Sequence, residues 1–373
     1  MRIALVSSFM PPHLGGLEAI AQYQFEGYAA RGHEVRCLTS RVPSHLPARE
    51  GPIFRAACFN AAENCFGIPV PIWGPSAVRE MRALVAWADA VHVLECLYLS
   101  SALAVLLARA GRRPVLLFQN VGFIPYDSAW VRAMEHVAYQ TLGRLVLRAA
   151  SHVVLATPAA ETWVRSMYGG RTPGWASSFP IGINTDGLRP ASPSSRAAAR
   201  AAHGLIDGRP VALFAGRLVE KKGLSLVLET ASRATDFDVI VAGDGPMRDR
   251  LRNAGPNVRW LGAVDTQTMR QLYAAADLVF LPSRGEGLPL VVQEAMSCGL
   301  PTVVSDDEPF VELLRPLGIC VTAARTPAAL CEALRYGLTH RQAIGTAARA
   351  YAEAHWSRDT MISRCEALLY KLV

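Results

Sequence analysis

Lysine is nearly absent from this sequence: Lys221, Lys222 and Lys371 are the only three in 373 residues. No stretch approaches the roughly 18 uncharged apolar residues that a membrane-spanning helix needs. The first segment, Met1 to Gly16, is too short in its apolar part for a signal peptide and is interrupted by Pro11, Pro12 and His13. A cytoplasmic protein is expected, soluble or held at a membrane only by its surface. The eight cysteines (Cys37, Cys58, Cys65, Cys96, Cys298, Cys320, Cys331 and Cys365) form no CxxC pair. Reduced thiols are therefore expected rather than disulfides or a zinc site. There is no Lys/Arg block, no zinc-finger spacing and no aromatic-basic signature, which argues against a nucleic-acid partner. No low-complexity tract appears either, and 51% of the residues are apolar, enough to fill a sizeable core.

What the sequence has is a net charge of +7 carried mostly by arginine, which favours phosphates or an anionic lipid surface as partners. Its length suggests two domains. Short runs rich in Val, Ile and Leu alternate with amphipathic segments: Ile3 to Ser7, Val35 to Thr39, Ala90 to Leu94, Val115 to Phe118 and His152 to Ala156. They lack strict polar alternation, as strands covered on both faces do. The segment Ser76 to Trp87 places Val78, Met81, Leu84 and Val85 on one helical stripe. The pattern pauses from Phe179 to Arg209, read as a linker. It then restarts at Val211 to Ala215, Asp238 to Ala242, Val258 to Leu261, Leu278 to Leu281 and Pro301 to Ser305. Strand-helix alternation predicts an α/β fold of two Rossmann-like, doubly wound parallel-sheet domains facing across a cleft. Residues 1–180 form the first, with a C-terminal helix, 352–373, packing back on it, and 181–351 form the second. Ligands in such sheets bind beyond the carboxyl ends of the strands.

Four motifs follow strands. After Val211 to Ala215 comes Gly216-Arg217-Leu218-Val219-Glu220-Lys221-Lys222-Gly223, holding two of the three lysines. Gly216 permits a tight turn, Arg217 offers a planar fork to phosphate, Lys222 adds a point charge, and a helix starting near Leu224 offers amides. After Leu278 to Leu281, Glu286 and Glu294 stand eight apart. Pro289 places Glu286 in a loop and Glu294 along the helix that follows. Gly15-Gly16, after the first strand, opens a helix where backbone can approach a diphosphate. Gly243-Asp244-Gly245-Pro246 is either a backbone contact to ligand or ordinary turn chemistry. Neither a GxGxxG fingerprint nor a GxxxxGK[ST] loop is present.

In this order the segments resemble the GT-B glycosyltransferases of family four, a retaining group marked by two glutamates with seven residues between. The resemblance spans nearly the whole chain and includes Gly15-Gly16, the junction Phe179 to Pro190, Gly216-Arg217-Leu218, Lys222-Gly223, Gly243 to Pro246, Pro282-Ser283, Glu286 to Pro289 and Glu294-Ala295-Met296. It implies a GT-B architecture and transfer of a hexose or N-acetylhexosamine from a nucleotide diphosphate sugar, with a UDP-sugar ahead of GDP-mannose. It further implies that Arg217 and Lys222 hold the donor diphosphate, Glu286 faces the transferred sugar, and Glu294 binds the ribose. Gly287, Leu288 and Gly16 would approach the donor through backbone. Neither cofactor nor metal is implied, and no DxD-like carboxylate pair or histidine cluster is expected to contradict that. One departure stands out: Asn120 occupies the place where relatives often carry a histidine that contacts the sugar and its leaving phosphate. Asparagine can donate a hydrogen bond but carries no charge; His13 and His136 are the candidate substitutes.

The acceptor, expected to be a glycan, a lipid-linked sugar or a small molecule, leaves little trace. Trp130 to Arg148 is a candidate amphipathic helix with Arg132, Arg144 and Arg148, and Arg79 and Arg82 lie on another. Such faces suit either solvent or an anionic membrane surface. The competing readings are a GT-B epimerase or phosphorylase and, because of Asn120, a nucleotide-sugar-binding protein with weak or lost catalysis.

Overall fold

The computed structural model describes residues 1–13, 15–60, 70–123, 128–205 and 208–373; Leu14 and Cys65 lie outside them. The chain divides into two compact units, Met1–Gly182 with Arg358–Val373, and Ile183–Ser357.

In the first unit the strands are β1 (Arg2–Val6), β2 (Glu34–Ser40), β3 (Arg49–Glu50), β4 (Ile53–Ala56), β5 (Cys58–Phe59), β6 (Ile72–Trp73), β7 (Ala90–Leu94), β8 (Val115–Gln119), β9 (His152–Leu155) and β10 (Ala176–Ser178). Eight of them make one sheet in the order β10-β9-β8-β7-β1-β2-β4-β3. It is parallel except at the β3–β4 edge. Strands β7 and β8 are buried at every position, which is why their sequences carry no alternation. Helices Ser76–Trp87 and Leu99–Ala110 cover one face through Met81, Leu84, Val85, Ala104, Val105 and Ala108. On helix Gly16–Ala30, Gly27 lies against Ile362 of the helix Arg358–Leu372 so closely that a Cβ would come within 2.5 Å of it.

The second unit holds β11 (Val211–Ala215), β12 (Asp238–Ala242), β13 (Val258–Trp260), β14 (Leu278–Leu281), β15 (Thr302–Ser305) and β16 (Val321–Ala323) in a fully parallel sheet ordered β13-β12-β11-β14-β15-β16. This is the doubly wound pattern expected from the alternation.

Three expectations need correction. The supposed linker contains a helix, Pro193–Ala202, capped by Ser192. Its Arg196 and Arg200 reach Asp277, whose carboxylate also takes Arg341 and the amide of Val211. The single helix over 352–372 is two, Arg341–His355 and Arg358–Leu372, and the break at Trp356-Ser357 coincides with the boundary between units. Trp130 to Arg148 is also interrupted: helices Ala129–Ala138 and Arg144–Ala149 flank a π-helical turn, Tyr139–Gly143. The first of these buries no residue, and Arg144 donates to the carbonyl of Met167 instead of standing in solvent.

Candidate active site

At the carboxyl ends of β11, β12 and β14 the loops of the second unit interlock through glycine. Gly243, with φ 142°, lies so near the preceding loop that a Cβ would stand 1.9 Å from the Gly216 carbonyl oxygen. Leu218 N–H donates to the Asp244 carbonyl at 3.0 Å. Gly223, with φ 81°, begins the helix Leu224–Arg233 and would carry a Cβ 2.2 Å from the Pro282 carbonyl oxygen. Backbone therefore ties Gly216 and Leu218, which flank Arg217, to Gly243, Asp244 and Gly245, and the glycines at 243 and 245 allow it.

Into this cluster comes Lys222, its stem passing Gly216 and its Nζ 3.0 Å from Glu286 Oε2. Lys221 Nζ lies 4.0 Å from Glu286 Oε1. Burial opposes ionisation of Glu286, but Lys222 and Lys221 outweigh it and hold the carboxyl below its ordinary value. Lys221, though its side chain is 41% exposed, is lowered by partial desolvation against the pull of Glu286. Glu286 sits in the loop as its spacing predicts, after Gly285 with φ 73°, and Pro289 caps the helix Leu290–Ser297. Leu288 is buried and Gly287 half-exposed. Glu294 accepts a hydrogen bond from the Tyr273 hydroxyl at 2.7 Å. The loop also leans on Glu308, beyond β15, whose Oε2 accepts the Glu286 amide at 2.7 Å. Burial, and less strongly the charges of Glu286 and Asp307, push Glu308 up to about 7.

In the first unit Asn120 stands at the end of β8 and meets Glu95 at the end of β7. Its backbone and side-chain amides both donate to Glu95 Oε1 at 2.8 Å, while Gln119 Nε2 donates to Oε2 at 2.6 Å. Glu95 is 4% exposed, and burial raises it to about 7 despite these donors. Its φ of 63° is one of two positive values outside glycine among the described residues. Asn120 Oδ1 is buried and makes no hydrogen bond. The asparagine is thus oriented by a carboxylate. His13 is engaged with Glu18 and stacks on Phe9, next to the Gly15-Gly16 turn that opens the helix Gly16–Ala30. His136 is exposed and packs on Phe123.

Residues 195–353 match the family described as Glycosyl transferases group 1, and residues 15–173 match the Glycosyl transferase 4-like domain. The chain belongs to the family-four type of glycosyltransferases. A GDP-mannose-dependent alpha-mannosyltransferase of Mycolicibacterium smegmatis is 24% identical over 99% of this chain and 98% of its own. A GDP-mannose-dependent monoacylated alpha-(1-6)-phosphatidylinositol monomannoside mannosyltransferase of Corynebacterium glutamicum is 30% identical over 51% of this chain, which spans 55% of that relative. Among solved structures, Anabaena HepE in complex with UDP superposes with a TM-score of 0.77 at 18% identity, covering 100% of both chains, which shows the shared GT-B fold.

Sequence reasoning missed four residues of this glycosyltransferase. Glu95 and Gln119 had a signal, since Gln119 ends the otherwise apolar β8 and Glu95 directly follows the mostly apolar β7. Glu308 follows Asp306-Asp307 in an acidic run that gives no sign of burial, and Tyr273 carries no mark at all. Against expectation, a DxD spacing is present, at Asp236 and Asp238. These carboxylates pair with Arg335 and Arg209 and lie at the start of β12, away from the loops that hold Lys222. A last feature of the first unit is a groove of about 430 Å³ lined by Arg109, Arg112, Arg113 and Arg148. Among the described residues none of the four is ion-paired with an acidic side chain.

Proposed function

We propose that this glycosyltransferase moves a hexose from a nucleotide diphosphate sugar to a glycan or lipid-linked acceptor, with retention at the anomeric carbon and without a metal. The observation that carries the reading is Lys222 held 3.0 Å from Glu286 inside a loop cluster built from Gly216, Gly223 and Gly243. A fixed cation beside a fixed carboxylate suits a departing diphosphate and a sugar hydroxyl. GDP-mannose now comes ahead of UDP-sugars, reversing the order expected from sequence, because the Mycolicibacterium relative matched along its whole length is named for that donor.

In this mechanism the acceptor oxygen bonds to the anomeric carbon on the face from which the diphosphate leaves. The bond to the phosphate oxygen breaks, and that oxygen takes the acceptor's proton. Arg217 and Lys222 stabilise the charge growing on the leaving group, and Glu286 orients the sugar. Catalysis is positioning and electrostatics. Glu294 and Tyr273 take the ribose hydroxyls.

The setting proposed is the inner face of a bacterial cytoplasmic membrane, in surface polysaccharide or glycolipid assembly. Among the described residues no helix is long and apolar enough to cross a bilayer. Trp130, Met134 and Val137 form an exposed apolar stripe on helix Ala129–Ala138, and the arginine groove supplies positive charge. Co-sedimentation with phosphatidylglycerol vesicles but not phosphatidylcholine vesicles is expected; equal background in both refutes the membrane setting.

A second reading, a donor-binding protein with weak catalysis, is favoured by Asn120, whose side-chain amide is tied to Glu95 and carries no charge. One experiment separates the two. The purified protein is screened by thermal shift against GDP-, UDP-, ADP- and dTDP-sugars, then incubated with the best donor and a bacterial lipid extract. Stabilisation with transfer supports the first reading, and stabilisation without transfer the second. No stabilisation by any nucleotide sinks both.

A further inference from the structure

Glu308 is an anomaly in the second unit. It is 2% exposed, makes no ion pair among the described residues, and its Oε1 is buried without a hydrogen-bond partner. Burying a carboxyl group this way is costly, and its nearest acidic neighbours, Glu286 and Asp307, raise the cost. A merely structural loop fastening has cheaper solutions, such as a serine or a backbone carbonyl. Nor does the side chain cap its own helix, since Val311 N–H is satisfied by the Glu308 backbone carbonyl.

Its one bond reaches instead across the sheet edge, from beyond β15 to the loop beyond β14, where Oε2 accepts the backbone amide of Glu286 at 2.7 Å. That amide follows the left-handed Gly285, so fixing it sets the direction in which Glu286 leaves the turn. The same Glu286 carboxylate meets Lys222 at 3.0 Å. Glu308 and the two lysines therefore hold Glu286 from opposite ends, one by its backbone and the others by its side chain.

We propose that Glu308 is a positioning residue for transfer: it pins the backbone of Glu286 so that the Glu286 carboxylate faces the donor sugar. This rests on the glycosyltransferase reading of the Glu286 site. The bond is charge-assisted when Glu308 is ionised and weaker when it is protonated. Four charged groups face the Glu308 carboxyl, namely Glu286, Asp307, Lys222 and Lys221. Because Glu308 titrates near neutral pH, transfer by the wild type should rise as pH passes through about 7.

The test compares wild type, Glu308→Gln and Glu308→Ala. Steady-state transfer is followed from about pH 5.5 to about pH 8.5, and exchange of the Glu286 amide proton is measured by NMR. Misplacing a reacting group by about 1 Å can cost on the order of a hundredfold. Glu308→Ala should therefore lose about ten- to a hundredfold in kcat, with donor KM within about threefold, and its Glu286 amide should exchange faster. Glu308→Gln keeps an acceptor oxygen, so it should recover most of kcat while losing the rise near neutral pH. The proposal is overturned if Glu308→Ala keeps either wild-type kcat or wild-type Glu286 amide protection, or if the pH rise survives in Glu308→Gln. A wild type inactive on every donor would refute the transferase reading, whereas unchanged Glu286 protection in Glu308→Ala would refute the positioning role by itself.

Discussion

Lys221 and Lys222 are neighbours of identical chemistry, and the structure assigns them different weights. Lys222 Nζ lies 3.0 Å from Glu286, with side-chain exposures of 18% and 11%. At an effective dielectric near 20 that separation corresponds to an attraction of about 5 kcal/mol. The cost of desolvating both ions offsets much of it, leaving a net stabilisation of roughly 1–3 kcal/mol. Lys221 stands 4.0 Å away and is 41% exposed, so solvent screens it further. If Lys222 also meets the departing diphosphate, Lys222→Met removes a transition-state cation, worth about 10²- to 10³-fold in kcat by analogy with an oxyanion-hole donor. Lys221→Met should stay within about fivefold of wild type, because its charge is more distant and wetter. The assay is kcat and KM with the donor found by thermal shift, alongside urea unfolding of all three proteins. Equal losses in the two variants, or a Lys222→Met enzyme within about threefold of wild type, would refute the assignment.

Three further outcomes are expected. Gly243→Ala places a Cβ against the Gly216 carbonyl oxygen at 1.9 Å, so the donor loops must separate; urea titration should show the second unit weakened by more than about 3 kcal/mol, and a wild-type midpoint would contradict the close approach. Asp277→Ala strands Arg196, Arg200 and Arg341, and should cost about 3–5 kcal/mol in the second unit, read from its chemical denaturation, while the first unit keeps its midpoint. Glu95 has its folded pKa raised from 4.5 to about 7, so its contribution is greatest below pH 4.5 and is lost as pH rises toward 7. Relative to Glu95→Leu, the wild type should lose about 3 kcal/mol of stability over that interval, and a pH-independent difference would show that Glu95 does not titrate there.

The fold was readable because parallel strands covered on both faces leave mostly apolar runs without polar alternation, as β7, β8, β11 and β14 do, each buried at every position. What misled were segments whose helices depend on distant partners. Pro193–Ala202 follows a Ser-Pro start amid Gly and Pro and reads as linker, yet its arginines are held by Asp277, some eighty positions on. The loop cluster was legible in its cations, glycines and glutamate pair, since these sit at strand ends. The supporting carboxyls of each unit were not. In the second unit Glu308 takes a backbone amide from another loop, and in the first Glu95 takes Asn120 from just beyond the neighbouring strand. Contacts of that kind depend on strand order, and sequence spacing does not carry strand order.

The first unit is completed by a helix from the far end of the chain: Arg358–Leu372 docks on Gly16–Ala30, with Ile362 over Gly27 and Glu366 on Arg31 and His33. During synthesis, then, the second unit emerges whole and can fold on the ribosome, while the first waits with one flank uncovered. Until that helix arrives, the apolar surface beneath Ile362, Cys365 and Leu369 is open to chaperones and proteases. The order of maturation runs against the order of translation: residues made before the second unit become secure only after it. A nick or frameshift near Arg358 would leave the second unit intact and expose the beginning of the chain.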